Sequence, residues 1–153
     1  MVVTELDTLP SSVCDLVNQA LEQRRPMLLS YVGDGDQPVL SFRGSVRISG
    51  HTQLAIWVRN PNGSFCTRIK VAPKVALMYR NETSRATYQF QGRARLEEDA
   101  VTRDRVYKSI PDAEKNHDPA RSGALVLIDL DRVEGWAGMG PNGPIDKILM
   151  RKS

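Results

Sequence analysis

Cysteine is nearly absent: Cys14 and Cys66 are the only two in 153 residues. They form no CxxC pair, and His51 and His117 are the only histidines, so no metal site is expected; zinc needs three or four Cys, His or carboxylate ligands at short spacing. Both cysteines read as small buried hydrophobes in a reducing compartment. No apolar run approaches the ~18 residues that would span a bilayer, so no membrane association is expected. The opening MVVTELDTLP is acidic where a signal peptide is basic and then apolar, and the expected location is cytoplasmic. Internal repeats and low-complexity tracts are missing. So are GxSxG, the Walker loop and GxGxxG, and no carboxylate pair stands in an apolar setting. If the chain is an enzyme, a cofactor carries its chemistry.

What remains is an ordinary globular composition, with 41% hydrophobic and 25% charged residues, which excludes a disordered chain. The length fits a single domain over 1–153, with an N-terminal helix region at 1–25 and a C-terminal tail at 139–153. Net charge is +3 and the pI about 9.0. Most of the positive charge is Arg, whose planar fork suits phosphates and carboxylates. This points to an anionic small ligand or nucleic acid, and equally to a plain solvated basic surface.

Val13, Leu16, Val17, Ala20 and Leu21 fall on one helical face, which predicts a helix over 12–25, opened by Ser12 with Asp15 as a capping pair and ended by Pro26. The period then changes to two. Strands are expected at 27–32, 39–48, 53–59, 74–80, 85–96 and 124–136, with short helices at 64–71 and 99–109. This pattern predicts a mainly β, α+β fold: an antiparallel six-stranded split barrel with flanking helices. The turn-rich segment from Met139 to Pro144 is expected to run extended over the surface.

Two polar features stand out. Ser41, Arg43, Ser45 and Arg47 alternate with Leu40, Phe42, Val46 and Ile48, so the polar set is expected to face outward; Gln89, Gln91 and Arg93 do the same on the 85–96 strand. Arg and Gln with almost no Lys or Glu suits a polar interface or ligand platform as well as it suits solvent. The second feature is the strand–turn–helix segment Arg59-Asn60-Pro61-Asn62-Gly63-Ser64. A helix start offers free N–H groups, Gly63 permits close approach and Arg59 adds charge, which together make a phosphate site. The same residues also serve plain turn geometry.

Several stretches resemble the flavin-binding split-barrel family related to pyridoxamine 5'-phosphate oxidase. They are PVLSFRGSVRIS, QLAIWVRNPNGSFCTRIKVAPKVALMYRN, TYQFQGRARLEED and ALVLIDLDRVEGWAG, in that order between Pro26 and Gly138. The strongest is the strand–turn–helix running into Ala72-Pro73-Lys74-Val75-Ala76-Leu77. The resemblance implies an FMN-binding flavoprotein, an oxidoreductase acting on a small molecule, with FMN at a homodimer interface against the outside of the barrel. Carried over, it implies Ser41, Phe42, Arg43 and Gly44 beside the ring and ribityl chain. Arg59, Asn60, Asn62, Gly63 and Ser64 fall at the phosphate, Thr87 and Gln89 approach from the long strand, and Trp136 covers the ring. The chain departs from the oxidases where Gly63-Ser64-Phe65 replaces their Ser-Arg-Lys, leaving Arg59, Arg43 or Arg68 to hold the phosphate. Its tail PNGPIDKILMRKS does not reproduce their substrate segment, so pyridoxal phosphate synthesis is not expected. Deazaflavin and haem occupy related barrels, with His51 and His117 the available axial ligands. The rival from another class is a nucleic-acid-binding barrel using Trp57 and Tyr88. Tyr88 shares the apolar face of its strand with Phe90, which assigns it to the core, and no nucleic acid is expected.

Overall fold

The period-two segments form strands because alternate side chains can fill a barrel while their neighbours meet solvent. A computed structural model of the chain describes residues 2–152. The order is β1 (Val3–Leu6), α1 (Ser11–Gln19), β2 (Met27–Val32), a 3-10 turn (Asp34–Asp36), β3 (Pro38–Arg43), β4 (Val46–Gly50), β5 (Gln53–Val58) and α2 (Ser64–Arg68). It continues with β6 (Lys74–Asn81), β7 (Ala86–Glu97), α3 (Ala100–Ser109), α4 (Asp112–Lys115), β8 (Ala124–Ala137), the two-residue strands β9 (Met139–Gly140) and β10 (Gly143–Pro144), and β11 (Lys147–Arg151).

The main sheet has nine strands rather than six, in the order β1-β11-β8-β7-β6-β2-β3, with β4 and β5 joined through β8. Its architecture is the expected α+β split barrel. All pairings are antiparallel except β1 with β11, which runs parallel. The split lies on β8. Leu125–Ala137 pairs with β7 across a bulge, while Ala124–Asp129 also pairs with β5 and Arg132–Gly135 with β11. Gly92 sits at the β7–β8 bulge, where a Cβ would run into the backbone carbonyl of Asp129. Glycine is required there because two backbones approach within the space of one methyl group.

Leu29, Leu77, Tyr79, Phe90, Ile128 and Val133 fill the barrel and are 0–1% exposed. Each large apolar side chain buried this way contributes roughly 1.5–3 kcal/mol. A second, smaller core of Ala55, Trp57, Val106, Tyr107, Ile110, Leu125 and Leu127 lies outside the barrel, under α3. Trp57 therefore packs between β5 and α3, edge-on to Tyr107 at 5.2 Å, and is not a surface aromatic. Tyr88 is in the main core, as expected.

Four expectations change. The strand read as 39–48 breaks at Gly44-Ser45 into β3 and β4, which join different parts of the sheet. Its faces are reversed in β3: Leu40 and Phe42 are 64% and 71% exposed, while Ser41 and Arg43 stand opposite the buried Leu29 and Met27. Ser45 is buried, and Arg47 donates to the Asn18 carbonyl oxygen at 2.8 Å. Val39, Ser41 and Arg43 share the face of the buried Tyr31, Leu29 and Met27 of β2, so pairing register and not side-chain polarity sets which face of this edge strand turns inward. The α1 helix starts after Pro10 with no side-chain cap, so Ser12 and Asp15 form no capping box. Finally, residues 147–151 are a paired strand, not a surface tail, and they carry β1 on their far edge. Asp99 caps α3, accepting from the Thr102 N–H at 2.9 Å.

Candidate functional site

The turn after β5 follows from its residues. The Asn60 carbonyl accepts the Gly63 N–H at 3.2 Å, and its side-chain oxygen accepts the Asn62 N–H at 3.1 Å. This delivers the chain to α2, whose N-cap Gly63 has no side chain to satisfy the first N–H groups. Beside it, β3 ends at Arg43. Together they line a cavity of about 570 Å³, within the size range of small-molecule sites. Phe42, Arg43 and Gly44 come from the end of β3, and Arg59, Asn60, Gly63 and Ser64 from the turn and helix start. A third wall is supplied by Ala113, Glu114 and His117 around α4.

The cavity's two arginines differ in their commitments. Arg59 donates from Nε to Glu114 Oε1 at 3.2 Å, with its side chain 54% exposed. Arg43 stacks over the Phe65 ring at 4.9 Å, and its Nε is buried with no hydrogen-bond partner. Burial pulls the Arg43 pKa below its ordinary value, against weaker opposing influences from Tyr31 and Cys66. Arg68 is turned away, donating from Nε to the Val32 carbonyl at 3.1 Å and pairing with Asp34 at 3.5 Å. The Ser64 hydroxyl accepts from Tyr31 at 3.1 Å. Cys66 beneath it is fully buried, and burial pushes its thiol pKa up.

Of the other residues singled out in the sequence, Asn62 is exposed on the turn, and Ser41 stands opposite Leu29 outside the cavity lining, its hydroxyl buried and unpartnered. Thr87, Gln89 and Trp136 line a separate depression of about 370 Å³ on the outer face of the sheet, walled also by Met78, Lys147 and Leu149. The Trp136 indole N–H is buried there without a partner. Phe42, which lines the first cavity, shares the outer face of the sheet with Gln89 of the second. In register, Phe42 stands opposite Leu28, Leu28 opposite Met78, and Met78 opposite Gln89. Three strand spacings put Phe42 about 14 Å from Gln89, with Leu28 between.

Sequence reading missed the α4 wall. Glu114 sits in a polar stretch that resembles a solvated loop, and nothing local marks it; His117, named in the sequence only as an available haem ligand, lines the same cavity. His51 lies in the β4–β5 turn, its carbonyl accepting the Leu9 N–H at 2.9 Å, away from both depressions. The wall hangs from Asp118. Its carboxylate accepts from Trp57 Nε1 at 2.8 Å, the Gly123 N–H at 2.8 Å and the Ser122 N–H at 2.9 Å. Burial alone would raise the Asp118 pKa, but these hydrogen bonds outweigh it and hold the pKa below the ordinary value. Gly123 leaves room for this knot: a Cβ there would lie 2.6 Å from Trp57 Nε1.

Among the described residues no group of three or more His, Cys, Asp or Glu is placed to hold a metal, and no helix is long and apolar enough to cross a membrane. No protein-family model matches the sequence, and no curated protein matches it. Solved structures do match the fold. One is a Clostridium acetobutylicum protein related to general stress protein 26 of B. subtilis and placed in the pyridoxinephosphate oxidase family, with TM-score 0.66, 10% identity, and 94% of this chain and 96% of that one covered. General stress protein 26 from Bacillus anthracis matches with TM-score 0.63 and 17% identity over 91% and 98% of the two chains. HupZ of Group A Streptococcus matches with TM-score 0.61 and 19% identity over 86% and 99%. The chain therefore has the split-barrel fold of the pyridoxamine 5'-phosphate oxidase-like proteins.

Proposed function

We propose that the chain is an FMN-binding protein, an oxidoreductase of a small-molecule substrate, working as a homodimer. The observation that carries this reading is the buried, unpartnered Nε of Arg43 in the wall of a cavity shared with Arg59, Gly63 and Ser64. A desolvated cation with an unsatisfied donor is costly unless an anion meets it. The flavin phosphate is such an anion, and the uncapped first turn of α2 adds donors beside it. FMN would supply hydride or electron transfer when bound. The chain's own part is to anchor the phosphate with Arg43 and Arg59 and to offer the Trp136 indole and Gln89 as polar contacts for the ring.

The oxidised protein is expected to absorb near 375 and 450 nm, the bands of a bound flavin. A colourless protein that also fails to take up added FMN refutes the proposal. A single intense band near 400 nm after addition of haem, lost in His117→Ala, would transfer the cavity to haem.

The dimer reading rests on the two separated depressions and the apolar strip between them. Leu40 and Phe42 are exposed, and they share the outer face with Leu28 and Met78. A two-fold axis over this strip would bury it and set the Arg43 cavity of one protomer against the Trp136 depression of its partner. Light scattering is expected to give twice 17.1 kDa for the wild type. Leu40→Asp, which touches neither depression, is expected to give the monomer and to lose FMN affinity with it. A monomeric protein with undiminished FMN binding would contradict the shared site.

A further inference from the structure

We propose that Glu114 is a positioning residue for Arg59, holding one edge of its guanidinium so that the other edge stays open to an incoming phosphate; this rests on the FMN reading above. The pairing is single. Arg59 Nε–H donates to Glu114 Oε1 at 3.2 Å, the one hydrogen bond formed between them. An arginine carries five donors in a planar fork, so a bond through Nε fixes the plane and leaves the terminal nitrogens available. As a stability device the pair is poor. The Glu114 side chain is 11% exposed and has lost most of its water, while Arg59, at 54%, remains screened by solvent.

Placement explains it better. The Glu114 backbone is held at both ends, its N–H donating to the Pro111 carbonyl at 3.0 Å and its own carbonyl accepting the His117 N–H at 3.1 Å. One residue further on is the buried Asp118, bonded to Trp57 and Gly123. The carboxylate thus projects from a rigid wall toward a long, half-exposed side chain at the cavity's mouth. A long side chain that is ordered before the ligand arrives loses less entropy on binding. Arg43 needs no such help, since Phe65 already stacks against it.

FMN and riboflavin titrations of the wild type, Glu114→Ala and Glu114→Gln test the proposal. Glu114→Ala is expected to weaken FMN by about three- to tenfold, the value of one pre-ordered side chain. Riboflavin, which lacks the phosphate, is expected to change by less than about twofold. Glu114→Gln keeps an oxygen for Nε–H and is expected to restore FMN affinity. Arg59→Lys keeps the charge but has no edge to hold, and is expected to lose as much FMN affinity as Glu114→Ala, independently of whether the alanine variant folds. Equal loss for both flavins, no rescue by glutamine, undiminished FMN binding in Arg59→Lys, or tighter FMN binding in Glu114→Ala overturns the proposal. Wild-type protein that binds neither flavin instead overturns the FMN reading itself, a separate and recognisable outcome.

Discussion

Arg43→Ala is expected to weaken FMN binding by about ten- to a hundredfold, since a charge-assisted contact contributes roughly 1.5–3 kcal/mol. Riboflavin binding should change little. Arg59→Ala should act in the same direction but less strongly. The ranking follows from what each cation already has. Arg59 is half-exposed and shares its charge with Glu114. Arg43 has been partly stripped of water, its Nε has no partner, and burial has lowered its pKa. A cation made costly by burial gains most when an anion arrives. Isothermal titration with both flavins reads the difference. Equal loss of FMN and riboflavin in Arg43→Ala would mean that Arg43 supports the Phe65 stack or the ring and leaves the phosphate alone.

The largest stability effect is expected at Asp118. Its 8% exposed carboxylate accepts three hydrogen bonds, and removing it strands the Trp57 indole N–H in the second core. Asp118→Ala should cost about 3 kcal/mol or more, because charged hydrogen bonds contribute roughly 1.5–3 kcal/mol each and do not add fully. Urea unfolding at neutral pH measures it; a loss below about 1 kcal/mol would show the knot to be dispensable. The pH dependence has a definite sign. The folded pKa lies below the ordinary carboxylate value, so the unfolded chain binds the proton more readily. The contribution is fully present above about pH 4 and is lost as pH falls through the folded pKa. In Asp118→Asn that acid-induced loss should shrink.

Much of this molecule was legible in the residues, and the gaps have physical causes. Alternation in β7 placed Ala86, Tyr88 and Phe90 inside and Gln89, Gln91 and Arg93 outside, as found. The same alternation in β3 gave the reverse of the true faces. A period of two says that faces differ; which one meets the core depends on the neighbouring strand. The Asn60–Ser64 turn was readable because its Asn, Pro and Gly carry local turn chemistry. Glu114 and Asp118 were not, because an acid buried by distant partners looks identical in sequence to an acid in solvent. Thr87, Gln89 and Trp136 were recognisable as outward-facing. Their separation from Arg43 depended on the register across β3, β2, β6 and β7, which no single segment encodes.

The parallel pairing of β1 with β11 makes one strand of the sheet dependent on a very long loop closure. Among the described residues, Val3–Leu6 pairs only with Lys147–Arg151, far along the sequence. β11 in turn sits on β8. The strands β2 to β8 can pair with one another without β1, whereas β1 gains its partner only once β11 is seated, and non-local pairings of this kind are slow to form. Loss of β11 would leave β1 without its partner strand, while loss of β1 would leave β11 paired with β8.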